Sequence, residues 1–435
     1  MSKPAAKQTV KVALGEAARP VGTLTYSKDG GRQFTTFAYD AAWLAAADRF
    51  ELSPDLALVE GHQFRKAPSK DDSIFHFAFA DTEPDGWGCR VIARDHAKRR
   101  KAAHIAGDPG SSAALTEMDY LLGVDDISRI GALRLLDASG NFIRTGQDGG
   151  RGTPPLLELA HLLSATRAVE MNKETEADLQ YLRGRGTSLG GMRPKCSILD
   201  EDGQLAIGKF PSVKDDRSVT RGEVLALHLA AAAGITAADS RIVMSDDVAV
   251  AVVRRFDRAK GGGRIPYLSA GSMLQASRAD DHAYTEIADV IKARCVNPAN
   301  DLEELWRRLA FNLLITNVDD HVQNHGFLHV EHGQWRLAPA FDINPFPDKD
   351  QELKLWLTGD SGPVDSITDV MRVASYFWLS EADARRVLAE VCAAILNWKA
   401  IAKSAPVGMS SDDLDAFAPA LENEQMRAAK RVLAE

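Results

Sequence analysis

The stretch T-N-V-D-D-H-V-Q-N-H-G-F-L-H-V-E-H-G-Q-W-R-L-A-P-A-F-D-I-N-P, residues 316–345, decides how the rest of the chain is read. Asp319 is followed by Asn324 five residues later and by Asp342 eighteen after that. Phosphoryl transfer needs such a set. One carboxylate orients or deprotonates the attacking hydroxyl, while a carboxamide and a second carboxylate offer hard oxygen ligands to magnesium on the phosphates of ATP. Between them, G-F-L-H-V-E-H-G-Q-W-R-L-A-P alternates around an H-G turn, the pattern of a hairpin that would deliver Asp342. Asn and Asp are also common in plain surface turns, so either motif alone says little. Their order, after the apolar run L-A-F-N-L-L-I-T at 309–316, makes the pattern specific. His321 reads as a metal ligand or as a loop-stabilising, phosphate-facing group; His325, His329 and His332 form no zinc spacing.

Working outward, T-S-L-G-G-M-R-P-K at 187–195 is Gly-rich and precedes a hairpin. Glycines allow backbone N–H groups to turn inward on phosphate oxygens, although no G-K-[ST] follows and any Gly-Gly can be a plain turn. The hairpin is C-S-I-L-D-E-D-G-Q-L-A-I-G-K-F at 196–210, and Lys209 on its second strand could reach ATP phosphates and a helix carboxylate such as Glu223. An exposed strand lysine is the plainer alternative. V-V-R-R-F-D-R at 252–258 follows a strand and precedes K-G-G-G-R, where a hinge between lobes would sit. Backbone groups at Arg254 and Phe256 could meet an adenine edge and Asp257 a ribose; a solvated strand end fits the same residues.

The chain has 435 residues, 26% charged and 45% hydrophobic, which suits a soluble protein of two or three compact units. Lys+Arg of 52 against Asp+Glu of 61 leaves a net −9, which argues against gripping nucleic acid or anionic membrane by bulk charge. Four scattered cysteines suggest neither a zinc site nor a disulfide framework. No apolar run is long enough to span a bilayer, so a cytoplasmic location without membrane insertion is expected. The first 150 residues read as β-rich, with strands near 10–39 and 130–137, a strand at 74–80 (I-F-H-F-A-F-A), and a basic helix around 89–103. That helix carries Arg94, Lys98, Arg99, Arg100 and Lys101, either a patch for an acidic partner or a solvated face. The Gly- and Pro-dense D-G-G-R-G-T-P-P at 148–155 marks the expected boundary, giving domains 1–150 and 151–435. Beyond Asp280 nearly everything reads helical outside 317–347. The class is α+β.

These residues together resemble the HipA-type serine/threonine kinases, toxins of bacterial HipBA toxin–antitoxin modules. V-G-T-L-T-Y, F-A-Y-D…W-L, L-S-P-D-L at 52–56 and P-D-G-W-G at 84–88 are similar to that family's N-terminal subdomain. S-L-G-G-M-R-P-K, V-V-R-R-F-D-R, T-N-V-D-D-H-V-Q-N-H-G-F and L-A-P-A-F-D-I are similar to its phosphate loop, hinge, catalytic and metal segments. The resemblance implies a two-lobed kinase-like fold with a β-rich N-terminal subdomain and a mainly helical C-terminal lobe. It implies ATP and Mg2+ as cofactors, with Asp319 as catalytic carboxylate, His321 in the catalytic loop, and Asn324 and Asp342 on magnesium. Ser188, Gly190, Gly191, Met192, Arg193, Lys209, Arg254, Phe256 and Asp257 would then meet the nucleotide, with Ser188 the site of silencing autophosphorylation. A small helix-turn-helix HipB-like antitoxin, DNA indirectly through it, and a protein substrate, an aminoacyl-tRNA synthetase among the possibilities, are the implied partners. Some relatives have Glu where this chain has Arg254 and Lys where it has Gln323, so the loop lacks a cation that they carry. A kinase of a lipid or small molecule, or a nucleotide-binding co-repressor scaffold, are the rival readings.

Overall fold

A computed structural model describes residues 6–105, 114–144, 156–182, 191–348 and 352–435. Its contacts divide into two compact units. The first comprises residues 1–214, 257–268 and 277–279; the second comprises 215–256, 269–276 and 280–435.

In the first unit, β1 (Ala6–Leu14), β2 (Arg19–Asp29), β3 (Arg32–Tyr39), β4 (Gln63–Arg65) and β5 (Leu133–Leu136) form an antiparallel sheet in the order β4-β3-β2-β1-β5. Alternation drives it: Val10, Val12, Leu24 and Phe37 point into the core. Gly30, at φ 57, supplies the left-handed residue between β2 and β3. The short helices α1 (Ala41–Leu44) and α2 (Phe77–Ala80) precede α3 (Gly86–Ile105) and α4 (Glu117–Gly123). The strand expected at 74–80 is therefore α2 and its approach. Asp55 fixes the turn by accepting from the Phe77 N–H at 3.4 Å and bonding His76 Nδ1 at 2.8 Å, and Phe79 packs its ring 5.3 Å from Phe37.

The basic face of α3 is largely spent inside the unit. Arg94 pairs with Glu174 at 3.0 Å, Lys98 lies 3.8 Å from the same carboxylate, and Arg99 pairs with Asp95. Glu174 sits just before α6 (Glu176–Leu182), which packs beside α5 (Leu159–Glu170). The first unit runs on through β6 (Lys195–Leu199) and β7 (Leu205–Lys209) to residue 214, past the stretch at 148–155. The whole of that Gly/Pro stretch lies outside the described residues.

The second unit begins with α7 (Val219–Ala232), stopped by Gly234 at φ 81. β8 (Ser240–Ser245) and β9 (Val248–Arg254) follow as a hairpin turned by Asp246 and Asp247, both at positive φ, the geometry of a two-residue primed turn. After β10 (Tyr267–Ser269) come α8 (Ala270–Leu274), α9 (Tyr284–Arg294) and α10 (Pro298–Leu314), then β11 (Gly326–Glu331) and β12 (Gln334–Leu337), paired antiparallel as expected. Five helices complete the chain: α11 (Ile367–Arg372), α12 (Glu381–Leu396), α13 (Trp398–Ala402), α14 (Ser411–Leu421) and α15 (Glu424–Ala434). From Leu305 to Thr316 every residue of α10 and its end is buried, which makes this helix the unit's axis. Antiparallel strands beside many helices make the class α+β.

Candidate active site

The buried axis α10 ends abruptly at Thr316, whose φ of 58 is costly for a β-branched residue. Three side-chain bonds hold it there. The Thr316 hydroxyl donates to the Ala420 carbonyl at 3.1 Å, and Asn423 Nδ2 donates to Thr316 Oγ1 at 3.1 Å and to the Leu314 carbonyl at 2.8 Å. The chain thereby leaves the helix in one fixed direction, straight into Asn317–Asp319.

Within the following loop, Asn324 Nδ2 donates to the Asp319 carbonyl at 3.2 Å, and the Asn324 N–H bonds the His321 carbonyl at 2.8 Å. With its amide nitrogen used inside the loop, Asn324 presents Oδ1 as the atom for a hard cation. The Asp319 carboxylate is more than half exposed and pairs with Lys354. His321 Nδ1 is buried and makes no hydrogen bond among the described residues.

Beneath the loop lies a polar network. Tyr284 donates its hydroxyl to Asp320, His325 Nε2 lies 3.1 Å from Asp320, and Asn312 Nδ2 donates to the Tyr284 hydroxyl at 3.3 Å. Burial pushes the Asp320 carboxyl up, but His325, Tyr284 and His321 outweigh it and hold it below the usual carboxylate range. The Tyr284 phenol is raised well above its ordinary value by burial and by the charge of Asp320. Asn317 joins the loop to the segment of Asp342: its Nδ2 donates to Asn312 Oδ1 at 3.2 Å, and its Oδ1 accepts the Asn344 N–H at 3.1 Å.

The β11–β12 hairpin delivers Asp342 in the left-handed region, at φ 54, a conformation that Asp tolerates better than most residues. Asn344 Nδ2 lies 3.5 Å from Asp342 Oδ1. Phe256 packs its ring 5.3 Å from Phe341, next to Asp342. Arg254 at the end of β9 donates its N–H to the Asp239 carbonyl at 2.8 Å and lies 3.7 Å from the Asp239 carboxylate. The second unit thus gathers Asp319, His321 and Asn324 in one loop, and Phe256 beside the segment of Asp342.

The first unit holds the remaining candidates. Ser188 and Gly190 lie outside the described residues. Gly191, at φ 108, accepts the Trp87 N–H on its carbonyl at 3.3 Å; a Cβ there would come 2.7 Å from Lys195 Nζ. Lys195 is buried and pairs with buried Asp85 at 3.4 Å. Met192 packs its thioether over Gly86 while much of it stays exposed, and Arg193 follows it. Lys209 stands opposite Lys195 in the hairpin register. Asp257 is buried, its Oδ2 accepting from the Gly131 N–H at 2.7 Å and from Arg258 at 2.6 Å.

A family model described as the HipA-like C-terminal domain matches residues 187–399, and one described as the HipA N-terminal domain matches residues 11–107. The chain belongs to the HipA-like kinase family. A curated relative from Sinorhizobium fredii (strain NBRC 101917 / NGR234), named "Putative kinase Y4mE", is 24% identical over 415 residues, which is 90% of this chain and 84% of the relative. HipA of Shewanella oneidensis MR-1, solved with HipB and its operator DNA, is similar in fold with a TM-score of 0.67 at 15% identity, covering 98% of this chain and 99% of that one.

In this HipA-like chain, sequence reading missed three features of the site. Lys195 closes the motif read as a phosphate loop, yet its partner Asp85 stands in P-D-G-W-G, 110 residues earlier. Asp320 and His325 stood in the motif read as a catalytic loop, but their burial carried no signal without the fold. Lys354 lies beyond the segment of Asp342 and meets Asp319 only through the fold. No described helix is long and apolar enough to cross a membrane.

Proposed function

We propose that this chain is an ATP- and Mg2+-dependent serine/threonine protein kinase and the toxin of a type II toxin–antitoxin module. The observation that carries the reading is the loop in which Asn324 Nδ2 bonds the Asp319 carbonyl. It leaves one carboxylate exposed for a substrate hydroxyl and one amide oxygen for a cation. Asp319 would accept the hydroxyl proton, and Asn324 Oδ1 and Asp342 would hold magnesium. Bound magnesium would supply charge neutralisation on the nucleotide phosphates. Gly191, Met192, Arg193 and Lys209 would bind those phosphates, with Arg254, Phe256 and Asp257 toward the nucleoside. Because phosphoryl transfer rests on positioning and charge, loss of one such group should cost orders of magnitude in rate.

The Shewanella HipA was solved with HipB and operator DNA. That supports a small DNA-binding antitoxin as partner here, with DNA reached through it, in keeping with the net −9 of this chain. The substrate would be a translation component such as an aminoacyl-tRNA synthetase, and Ser188 the autophosphorylation site.

The test is transfer from γ-labelled ATP with Mg2+, followed by phosphoproteomics after brief induction of wild type and Asp319→Ala. Labelled Ser188 and a discrete phosphoprotein, both lost in the variant, are expected. Undiminished transfer by Asp319→Ala would overturn the assignment.

A further inference from the structure

The catalytic loop carries its own problem of charge. From Asp319 to Asn324 it reads D-D-H-V-Q-N, with two carboxylates and no permanent cation. A phosphoryl group brings further negative charge to the hydroxyl that Asp319 would hold. Charge neutralisation is the main work of a phosphotransferase, so a cation beside Asp319 would add to what magnesium, Arg193 and Lys209 supply on the nucleotide side.

The structure brings one. Lys354 Nζ forms an ion pair with Asp319 Oδ1. Its placement follows from L-K-L-W-L at 353–357, an alternating run in which Leu353, Leu355 and Leu357 are buried and Lys354 points out. The backbone is clamped on both edges. The Leu353 N–H bonds the Val364 carbonyl at 3.0 Å, and the Lys354 N–H bonds the Val318 carbonyl at 3.3 Å, one residue before Asp319. Trp356 continues the same edge, its N–H bonding the His282 carbonyl at 2.9 Å. The side chains of Lys354 and Asp319 are 60% and 53% exposed. A pair so exposed contributes little to stability, so the fold does not account for a lysine held at this point. Gln323, by contrast, turns its amide toward Gly271, where a Cβ would come 2.9 Å from Nε2.

We infer that Lys354 is a catalytic residue, the cation that neutralises the transferring phosphoryl group in place of one on the loop. The inference rests on the kinase reading above. In-line attack puts the accepted hydroxyl about 3–3.5 Å from the phosphorus. An ammonium already bonded to the carboxylate that holds this hydroxyl would lie within side-chain reach of a γ-phosphate oxygen in line with it. In the transfer step the hydroxyl oxygen bonds to phosphorus, the bond to the ADP oxygen breaks, and the hydroxyl proton passes to Asp319. Lys354 keeps its proton throughout and shifts from Asp319 to the phosphoryl oxygens as Asp319 loses its charge.

The experiment uses the full chain, ATP with Mg2+, autophosphorylation as the rate readout and a fluorescent ATP analogue for affinity. Lys354→Ala and Lys354→Met should lower the saturated rate about 100-fold, the scale for losing one charge-stabilising donor, with nucleotide affinity within about twofold and an unchanged unfolding midpoint. Adding Gln323→Lys to Lys354→Ala should recover at least tenfold of the rate, because it returns a cation to the loop. A wild-type rate in both single variants, a loss carried wholly by nucleotide affinity, or no recovery in the double variant would each overturn the inference. Asp319→Ala, run alongside, separates the two levels. If it is inactive while Lys354→Ala is fully active, the role of Lys354 falls and the kinase reading stands; if Asp319→Ala remains active, the kinase reading itself falls.

Discussion

His325 Nε2 and the Asp320 carboxylate lie 3.1 Å apart, each about 3% exposed, directly below the loop that presents Asp319. Removing one partner strands the other in the core. Asp320→Ala should cost about 3–5 kcal/mol in urea unfolding, because a broken buried pair loses far more than an exposed one. Asp320→Asn, which keeps two hydrogen-bonding positions, should cost less. The folded carboxyl is held below its ordinary value, so its stabilisation is present above the unfolded pKa of about 3.9 and is lost as pH falls through the folded value. The acid limb of the wild-type stability curve should therefore flatten in Asp320→Asn.

His329 on β11 supplies a second pH signature, of opposite chemistry. Its Nε2 accepts the Gly333 N–H at 3.1 Å, which needs the neutral ring, and burial with His332 nearby pulls its pKa from 6.5 down to about 4. Between those values the unfolded chain binds a proton that the folded chain does not, so stability should rise with pH from about 4 to 6.5. Urea midpoints measured across that window should show a shallower slope in His329→Gln.

Asp85 does two things at once. It pairs with buried Lys195 at 3.4 Å, and its Oδ1 accepts the Gly88 N–H at 2.6 Å in the first turn of α3. Asp85→Ala should destabilise by about 3–5 kcal/mol through loss of one side of this buried charge pair. Asp85→Ser keeps the helix cap, worth about 1 kcal/mol, and should recover only that part. Denaturant midpoints of the two variants would separate cap from charge; equal midpoints would mean the cap is not contributing.

Gly222 in α7 is a close approach, since a Cβ there would come 2.6 Å from Phe417 Cζ. Alanine is favoured over glycine in a helix by up to about 1 kcal/mol, but overpacking a core costs about 1–3 kcal/mol. Gly222→Ala should therefore lose about 1 kcal/mol net in urea unfolding, and Phe417→Leu in the same chain should return part of it.

The loop and hairpin of residues 316–345 were legible because their pattern is local. The interval from Asp319 to Asn324 closes as one loop, and the H-G turn makes the β11–β12 hairpin that carries Asp342. What stayed hidden depends on partners distant in sequence. I-F-H-F-A-F-A alternates like a strand but is apolar at nearly every position, and such short runs do not separate strand from helix. Asp55, some twenty residues earlier, decides the matter by fixing His76 and Phe77. Beyond the Gly/Pro stretch, Glu174 meets Arg94 of α3 within unit one, a contact no composition shift announces. Lys354 meets Asp319 across 35 residues, through a strand-like run whose alternation says which side chains point outward but not at what.

Asn317 gives the site a pivot that is blind to charge. Its one amide ties the end of α10 to the segment after Asp342, through Asn312 on one side and the Asn344 N–H on the other. Under the proposed function, each arrival and departure of a polyanion would swing the local potential, and a carboxylate or imidazole in this position would tighten or slacken with each swing. A carboxamide neither gains nor loses a proton across the biological range. The end of α10 and the segment after Asp342 are thus pinned by a joint that holds no titratable group.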